Sequence, residues 1–290
     1  MAAAQTQYDE PHRPRRPDEL MVEATDIIEA ARTRDVTLRL TGGLAVRRYC
    51  TDLAFVQRDH SDIDLMGLSS QIARLQRLFM ELGYVENTYV SQATANAQLQ
   101  FLPPAAVGHI RAQAIRGRLA GAGSSAGVAE GDHIDVFVDV MRMDHDIDVR
   151  DRLGIDRYAV SPVDILAVKL QIGEPAEKDI HDIVALLKDV PLSDRDDDAS
   201  IHVMRLARLC ARDWGLYFDV TRSLKTTLAM LDRYGLDAAE RDTVVRRAGV
   251  VRAAIDAATK SLRWRVRARV GTRLPWRREI EEREGTPTAA

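Results

Sequence analysis

Apolar residues recur along this chain with two periods, and the change from one to the other marks its elements. Leu20, Ala24, Ile27, Ile28 and Ala31 fall at helical spacing and predict a helix over 18–32. Val36, Leu38 and Leu40 alternate with polar residues as in a strand, and a short helical run follows the Gly42-Gly43 turn, from Leu44 to about Tyr49. Ile63 and Leu65 alternate with Asp62 and Asp64 in a second strand. Ile72, Leu75, Leu78, Phe79 and Leu82 form a helical stripe that Ser69 or Ser70 would cap and Gly83 would end. Short apolar runs at Tyr89-Val90, Leu99–Leu102 and His109-Ile110 read as short strands, and 117–131, rich in Gly, Ala and Ser, reads as an inserted loop. A further alternating strand runs from Asp132 to Met141.

The second half is helical in pattern. Ser161-Pro162 starts a helix with proline at its first position, where the missing N–H costs nothing, and Val163, Leu166, Ala167 and Leu170 are its buried stripe. Beyond Pro191 the acidic run Asp194–Asp198 marks a linker. Helices are expected over 201–212, 216–234 and 238–258, with Gly215 and Gly235 as breaks. The pattern thus predicts an α+β protein: a mixed β-sheet flanked by helices over 18–192, an all-helical part over 199–270, a polar, proline-rich arm before residue 18, and a basic-then-acidic tail over 271–290.

Composition narrows the partners. The 290 residues are 46% hydrophobic and 29% charged, with 41 Lys and Arg against 44 Asp and Glu, so nucleic acid would be met by a local patch and not by a global positive field. Such a patch lies at Arg263, Arg265, Arg267, Arg269, Arg273, Arg277 and Arg278, with Trp264 and Trp276 among them, before Glu279, Glu281, Glu282 and Glu284. Arginine binds phosphates and stacks on bases. Cys50 and Cys210 offer neither a disulfide framework nor zinc spacing, and read as inert thiols in a reducing cytoplasm. No apolar run approaches the roughly 18 residues of a membrane span.

Chemistry gathers at the diglycine and the acids. Asp62 and Asp64 point to one face of their strand with about 6 to 7 Å between Cα atoms. Paired carboxylates of this kind hold a hard divalent cation such as Mg²⁺ together with substrate phosphates. Gly42 and Gly43 sit where a strand opens into a helix, and backbone N–H groups there can meet a phosphate. A third carboxylate on a neighbouring strand would complete the set; Asp135 and Asp139 both stand on the 132–141 strand, the latter about 13 Å further along. The acids of 144–148 read as a turn facing water.

A strand, Gly-Gly, a short helix and Asp-Ile-Asp-Leu on the next strand resemble the signature of the nucleotidyltransferase superfamily, the fold of DNA polymerase beta. Thr41-Gly42-Gly43-Leu44-Ala45-Val46-Arg47 and Ser61-Asp62-Ile63-Asp64-Leu65 are most similar to the AbiEii-type toxins and related bacterial nucleotidyltransferases. The run 162–170 and Glu177-Lys178-Asp179-Ile180-His181-Asp182-Ile183 are similar to the segments that follow the catalytic strands there. The resemblance implies a nucleotidyltransferase-like sheet, Mg²⁺ or Mn²⁺ held by Asp62, Asp64 and Asp135, and Asp135 over Asp139 as third carboxylate and proton acceptor. It also implies nucleotide contacts from Gly42, Gly43, Arg47, Ser61, Lys169 and Asp182, with Asp179 nearby. A salt-bridged, structural Lys169 is the alternative. The implied reaction moves a nucleoside monophosphate from an NTP to a hydroxyl acceptor, which in toxin-type members is RNA such as transfer RNA, with an antitoxin as a further partner. A small-molecule acceptor, or a non-catalytic nucleotide-binding module, would share the fold.

Overall fold

A computed structural model describes residues 15–57, 62–103 and 133–277. They form two compact units, a sheet unit made of the chain through Leu44 with Gln57–Asp139, and a helical unit made of Ala45–Val56 with the chain from Val140.

The sheet unit begins with α1 (Pro17–Arg32), whose buried residues are the stripe expected from the pattern, Leu20, Ala24, Ile27, Ile28 and Ala31. Its strands are β1 (Arg39–Leu40), β2 (Asp62–Gly67), β3 (Val85–Glu86), β4 (Gln98–Leu102) and β5 (His133–Val138), in the order β1-β2-β5-β4-β3. β2 and β5 run parallel and the other pairs antiparallel, so the sheet is mixed, as expected. Register sorts the two faces. Leu65, Val136 and Leu99 stand in one row and Ile63, Ile134 and Phe101 in another, all essentially excluded from solvent. On that face Phe101 stacks on Phe79 of α3 (Ile72–Glu81), with ring centroids 3.9 Å apart. The alternate residues, Asp62, Asp64, His133, Asp135 and Gln100, fall on the opposite face.

Several details depart from the pattern. Only Arg39–Leu40 of the first strand is paired. Tyr89-Val90 lies in a short helix, α4 (Thr88–Ala93), and not in a strand. Ser69 does not cap α3; its hydroxyl and N–H donate to the Asp139 carboxylate at 2.5 and 3.0 Å. Asp139 itself has φ +64 and ends β5, so the expected single strand over 132–141 is broken, and β6 (Val140–Arg142) pairs with β7 (Asp146–Asp148) in the helical unit. Gly83 ends α3 at φ +86, as expected. The expected arm up to residue 14, the strand at His109-Ile110, the loop over 117–131 and the tail beyond 277 lie outside the described residues.

In the helical unit, α5 (Pro162–Leu170) is buried on every side, which makes it the core rod of this unit. Its two charged residues are neutralised by partners: Asp164 by Arg152 and Arg205, and Lys169 by α6 (Glu177–Asp189). The division expected in 192–199 therefore falls at 139–140, since α5 and α6 pack with the later helices: Arg247 donates to the carbonyls of Leu187, Lys188 and Val190, each at 2.9 Å. Those later helices are α7 (Val203–Arg212), α8 (Trp214–Met230), α9 (Ala238–Ala257) and α10 (Leu262–Val270). Gly235, at φ +62, breaks the chain between α8 and α9 as expected, whereas Gly215 lies inside α8 and Asp213 caps it by accepting from the Leu216 N–H at 3.1 Å. No helix among the described residues is long and apolar enough to cross a membrane.

Candidate active site

The polar face of the sheet brings the expected acids together. In the parallel register Asp64 is the direct partner of Asp135, and Asp62 that of His133. Parallel partners project to the same side, and the side chains follow: the His133 ring nitrogen Nε2 lies 3.3 Å from Asp135 Oδ2 and 3.9 Å from Asp62 Oδ2. The bond to Asp135 and the nearby Asp62 and Asp64 charges hold His133 above the ordinary imidazole range. Burial pushes the Asp135 carboxyl up, but the bonds from His133, Gln98 and Gln100 outweigh it and leave Asp135 net below the usual carboxylate range, hence ionised at neutral pH.

Asp64 is tied to the diglycine turn. The Thr41 N–H donates to the Asp64 carbonyl at 2.8 Å, and α2 (Gly42–Tyr49) starts at the next residue. Gly42 has φ +64, and a Cβ there would stand 2.1 Å from Asp64 Oδ2. Glycine is required twice over, for the backbone angle and for the carboxylate that lies against it. Gly43 follows in the first turn of α2, where backbone N–H groups have no intrahelical partner. Beside it the Thr41 hydroxyl is buried and finds no partner among the described residues.

Whether this face suits a divalent cation is decided by donors and space. Among the described residues no group of three or more His, Cys, Asp and Glu side chains is placed to hold a metal ion by itself. Mg²⁺ does not need one, since it is usually held by one or two carboxylates with water and substrate phosphates. Hard oxygens on one face, the cradle that a Cβ at Gly42 would fill and the orphaned Thr41 hydroxyl fit such a shared site.

Three of the remaining expected residues belong to the helical unit. Ser61 lies outside the described residues. Arg47 is buried in the helical unit, its guanidinium 3.4 Å from the Leu53 carbonyl. Lys169 and Asp182 do meet, also in the helical unit: Lys169 Nζ lies 2.9 Å from Asp182 Oδ2 and 2.9 Å from Asp179 Oδ1. Burial alone would lower the Lys169 pKa, and the two carboxylates more than reverse that, giving a net rise. This is the salt-bridged arrangement that the sequence left open. Asp139 is occupied by Ser69. The acids of 144–148 divide: Asp146 and Asp148 face water, and Asp144 accepts from the Gly173 N–H at 2.8 Å.

The sequence reading missed His133, Gln98 and Gln100. Their signal was present, because His133 shares the period-2 face of Asp135, and Gln98 and Gln100 alternate with Leu99 and Phe101. The basic stretch is also partly spoken for. Arg267 donates to the Gly271 and Leu274 carbonyls, each at 2.7 Å, and Arg277 to Asp219, while Trp264 packs on Tyr217 and Trp276 on Phe218. Arg263, Arg265, Arg269 and Arg273 stay exposed. Both cysteines are buried, and burial pushes their thiols up to about 12, in keeping with inert thiols.

No family model matches the chain, and no curated protein does. Among solved structures it is similar to the antibiotic-resistance factor ANT(2'')-Ia, at 12% identity over 74% of this chain and 94% of that one, with a TM-score of 0.34. It is also similar to an antigenic nucleotidyltransferase-like protein from Paracoccidioides brasiliensis, at 13% identity over 86% of this chain and 97% of that one, with a TM-score of 0.39.

Proposed function

We propose that this protein is a metal-dependent nucleotidyltransferase, moving a nucleoside monophosphate from an NTP to a hydroxyl acceptor and releasing pyrophosphate. The observation that carries the reading is the register placing Asp135 beside Asp64, with Asp62 two residues along and Gly42 against the Asp64 carboxylate. Asp62, Asp64 and Asp135 would hold Mg²⁺ or Mn²⁺, which when bound offsets the charge on the transferring phosphoryl group. Asp135, ionised and held by its neighbours, would accept the proton of the attacking hydroxyl. The N–H groups of Gly42 and Gly43 and the Thr41 hydroxyl would meet the phosphates. Lys169 is assigned to the scaffold, since two carboxylates already share its charge.

RNA is the acceptor we favour, in a toxin-like role with an antitoxin partner, from the resemblance of the motifs and the four arginines exposed on and after α10. Each phosphate contact contributes a salt slope of about 0.7 to 0.9, so four would give roughly 3 log units of affinity per log of salt. The test is to incubate the protein with each labelled NTP, Mg²⁺ and separate pools of transfer RNA, total protein and aminoglycosides. Label in transfer RNA, lost when Arg263, Arg265, Arg269 and Arg273 become Ala, is the expected result. Label in the aminoglycoside pool would transfer the reading to a small-molecule enzyme, and label in none would overturn it.

A further inference from the structure

Three cross-strand pairings align one polar row across the sheet. Gln100 is the register partner of Asp135, and Asp135 that of Asp64. Asn87, the residue after β3, extends the row by donating its N–H to the Gln100 carbonyl at 2.8 Å. The side chains are linked in the same order: Asn87 Nδ2 donates to Gln100 Oε1 at 2.7 Å, and Gln100 Nε2 donates to Asp135 Oδ1 at 3.0 Å. Direction matters in this chain. A glutamine amide has one accepting and one donating end, and its two orientations are almost identical in shape. With Asn87 donating to the oxygen, the NH₂ must face the carboxylate; turned over, Gln100 would set an oxygen against an anion. Asp135 Oδ2, meanwhile, faces His133. Each carboxylate oxygen therefore has a donor, and the group is fixed in rotation as well as in position.

We infer that Gln100, oriented by Asn87, is a positioning residue for Asp135, holding this carboxylate in the one orientation in which it shares a cation with Asp64. The inference rests on the nucleotidyltransferase reading for its purpose, but its geometry is independent of it. Residues that orient a ligand from outside the coordination sphere typically contribute about 10- to 100-fold to metal affinity. Gln100→Leu removes the donor at nearly constant size, and Asn87→Ala leaves it but frees the amide to turn.

The experiment follows Mn²⁺ binding by the decrease of the free-ion paramagnetic resonance signal, with an NTP present, in the full chain and its variants. Gln100→Leu is expected to weaken Mn²⁺ about 10- to 100-fold with a melting midpoint close to wild type, and Asn87→Ala to weaken it less. The double variant should match Gln100→Leu alone, because the two residues act through one bond. A merely structural glutamine would lower the melting midpoint and leave Mn²⁺ affinity unchanged, and that result overturns the assignment while sparing the reaction. Failure of wild type to bind Mn²⁺ overturns the reaction instead. The orienting chain is then still tested in metal-free wild type by nuclear magnetic resonance. Gln100 side-chain amide signals displaced from their unstructured positions in wild type that move back toward them in Asn87→Ala support it, and signals at the unstructured positions in wild type refute it. This last measurement also decides the matter should Gln100→Leu fail to fold.

Discussion

Each unit carries a cluster of acids around a base, and the two clusters end in opposite conditions. In the helical unit Lys169 stands between Asp179 and Asp182 at 2.9 Å from each, and all three are buried. The arrangement is closed: the ammonium has two anionic partners, and nothing is left to recruit a ligand. In the sheet unit three carboxylates stand on one face of the sheet, a glycine keeps a side chain away from Asp64, and a neighbouring hydroxyl is buried without a described partner. Solvent reaches that cluster at Asp62, whose side chain is 38% exposed against 3% for Asp182. Residue type does not separate scaffold from site here; exposure does.

The largest expected effect breaks the closed cluster. Lys169→Ala strands two carboxylates in a buried position and should cost roughly 3–5 kcal/mol in chemical denaturation, the usual penalty for removing one partner of a buried ion pair. Asp62→Ala, in the open cluster, should leave stability unchanged or slightly raised, since it relieves repulsion. Equal midpoints for the two variants would erase the contrast. Next in size is Gly42→Ala. Its left-handed backbone should cost about 1–2 kcal/mol, and its Cβ, placed 2.1 Å from Asp64 Oδ2, must push that carboxylate aside, so Mg²⁺-dependent nucleotide binding should vanish from a protein that still folds. Retained binding would show that the diglycine turn is not part of the site.

A smaller effect concerns acid. Asp219 is fully buried on α8; burial would raise its pKa, but bonds from His145, Arg277 and Trp276 outweigh this and hold it below the usual range. A depressed folded pKa gives stability that is present above the unfolded value of about 3.9 and is lost as pH falls through the folded one. Asp219→Asn should therefore flatten the acid limb of the stability curve below about pH 4 and destabilise at neutral pH; an unchanged acid limb would show that Asp219 plays no part in acid unfolding.

The same distinction explains what the sequence made legible. The period of apolar residues found α1, α3, β2, β5 and the later helices, because burial of one face fixes each of them. Alternation puts Asp62 and Asp64 on one side of their strand and Asp135 and Asp139 on one side of theirs; the preference for Asp135 came from the family resemblance, and the register that pairs it with Asp64 lay outside any local pattern. What was not legible came from partners distant in sequence. Gln100 meets Asp135 only through the β4–β5 register, Lys169 is neutralised by residues one helix later, and Asp139 turns left-handed to receive Ser69. Trp264 and Trp276, which stand among the arginines of the basic stretch, find aromatic neighbours on α8. The compact units also divide across, not along, the chain, with Ala45–Val56 joining the helices, which no local pattern announces.

The central claim is that Asp62, Asp64 and Asp135 form an open cation site on a diglycine turn, and calorimetry of NTP binding with and without Mg²⁺ tests it most directly. Wild type should bind the nucleotide much more tightly with Mg²⁺ than without it. Asp64→Ala, folded to the same extent by circular dichroism, should bind with no difference between the two conditions. If Asp64→Ala keeps the full Mg²⁺ dependence of wild type, the cation is held elsewhere and the account is wrong.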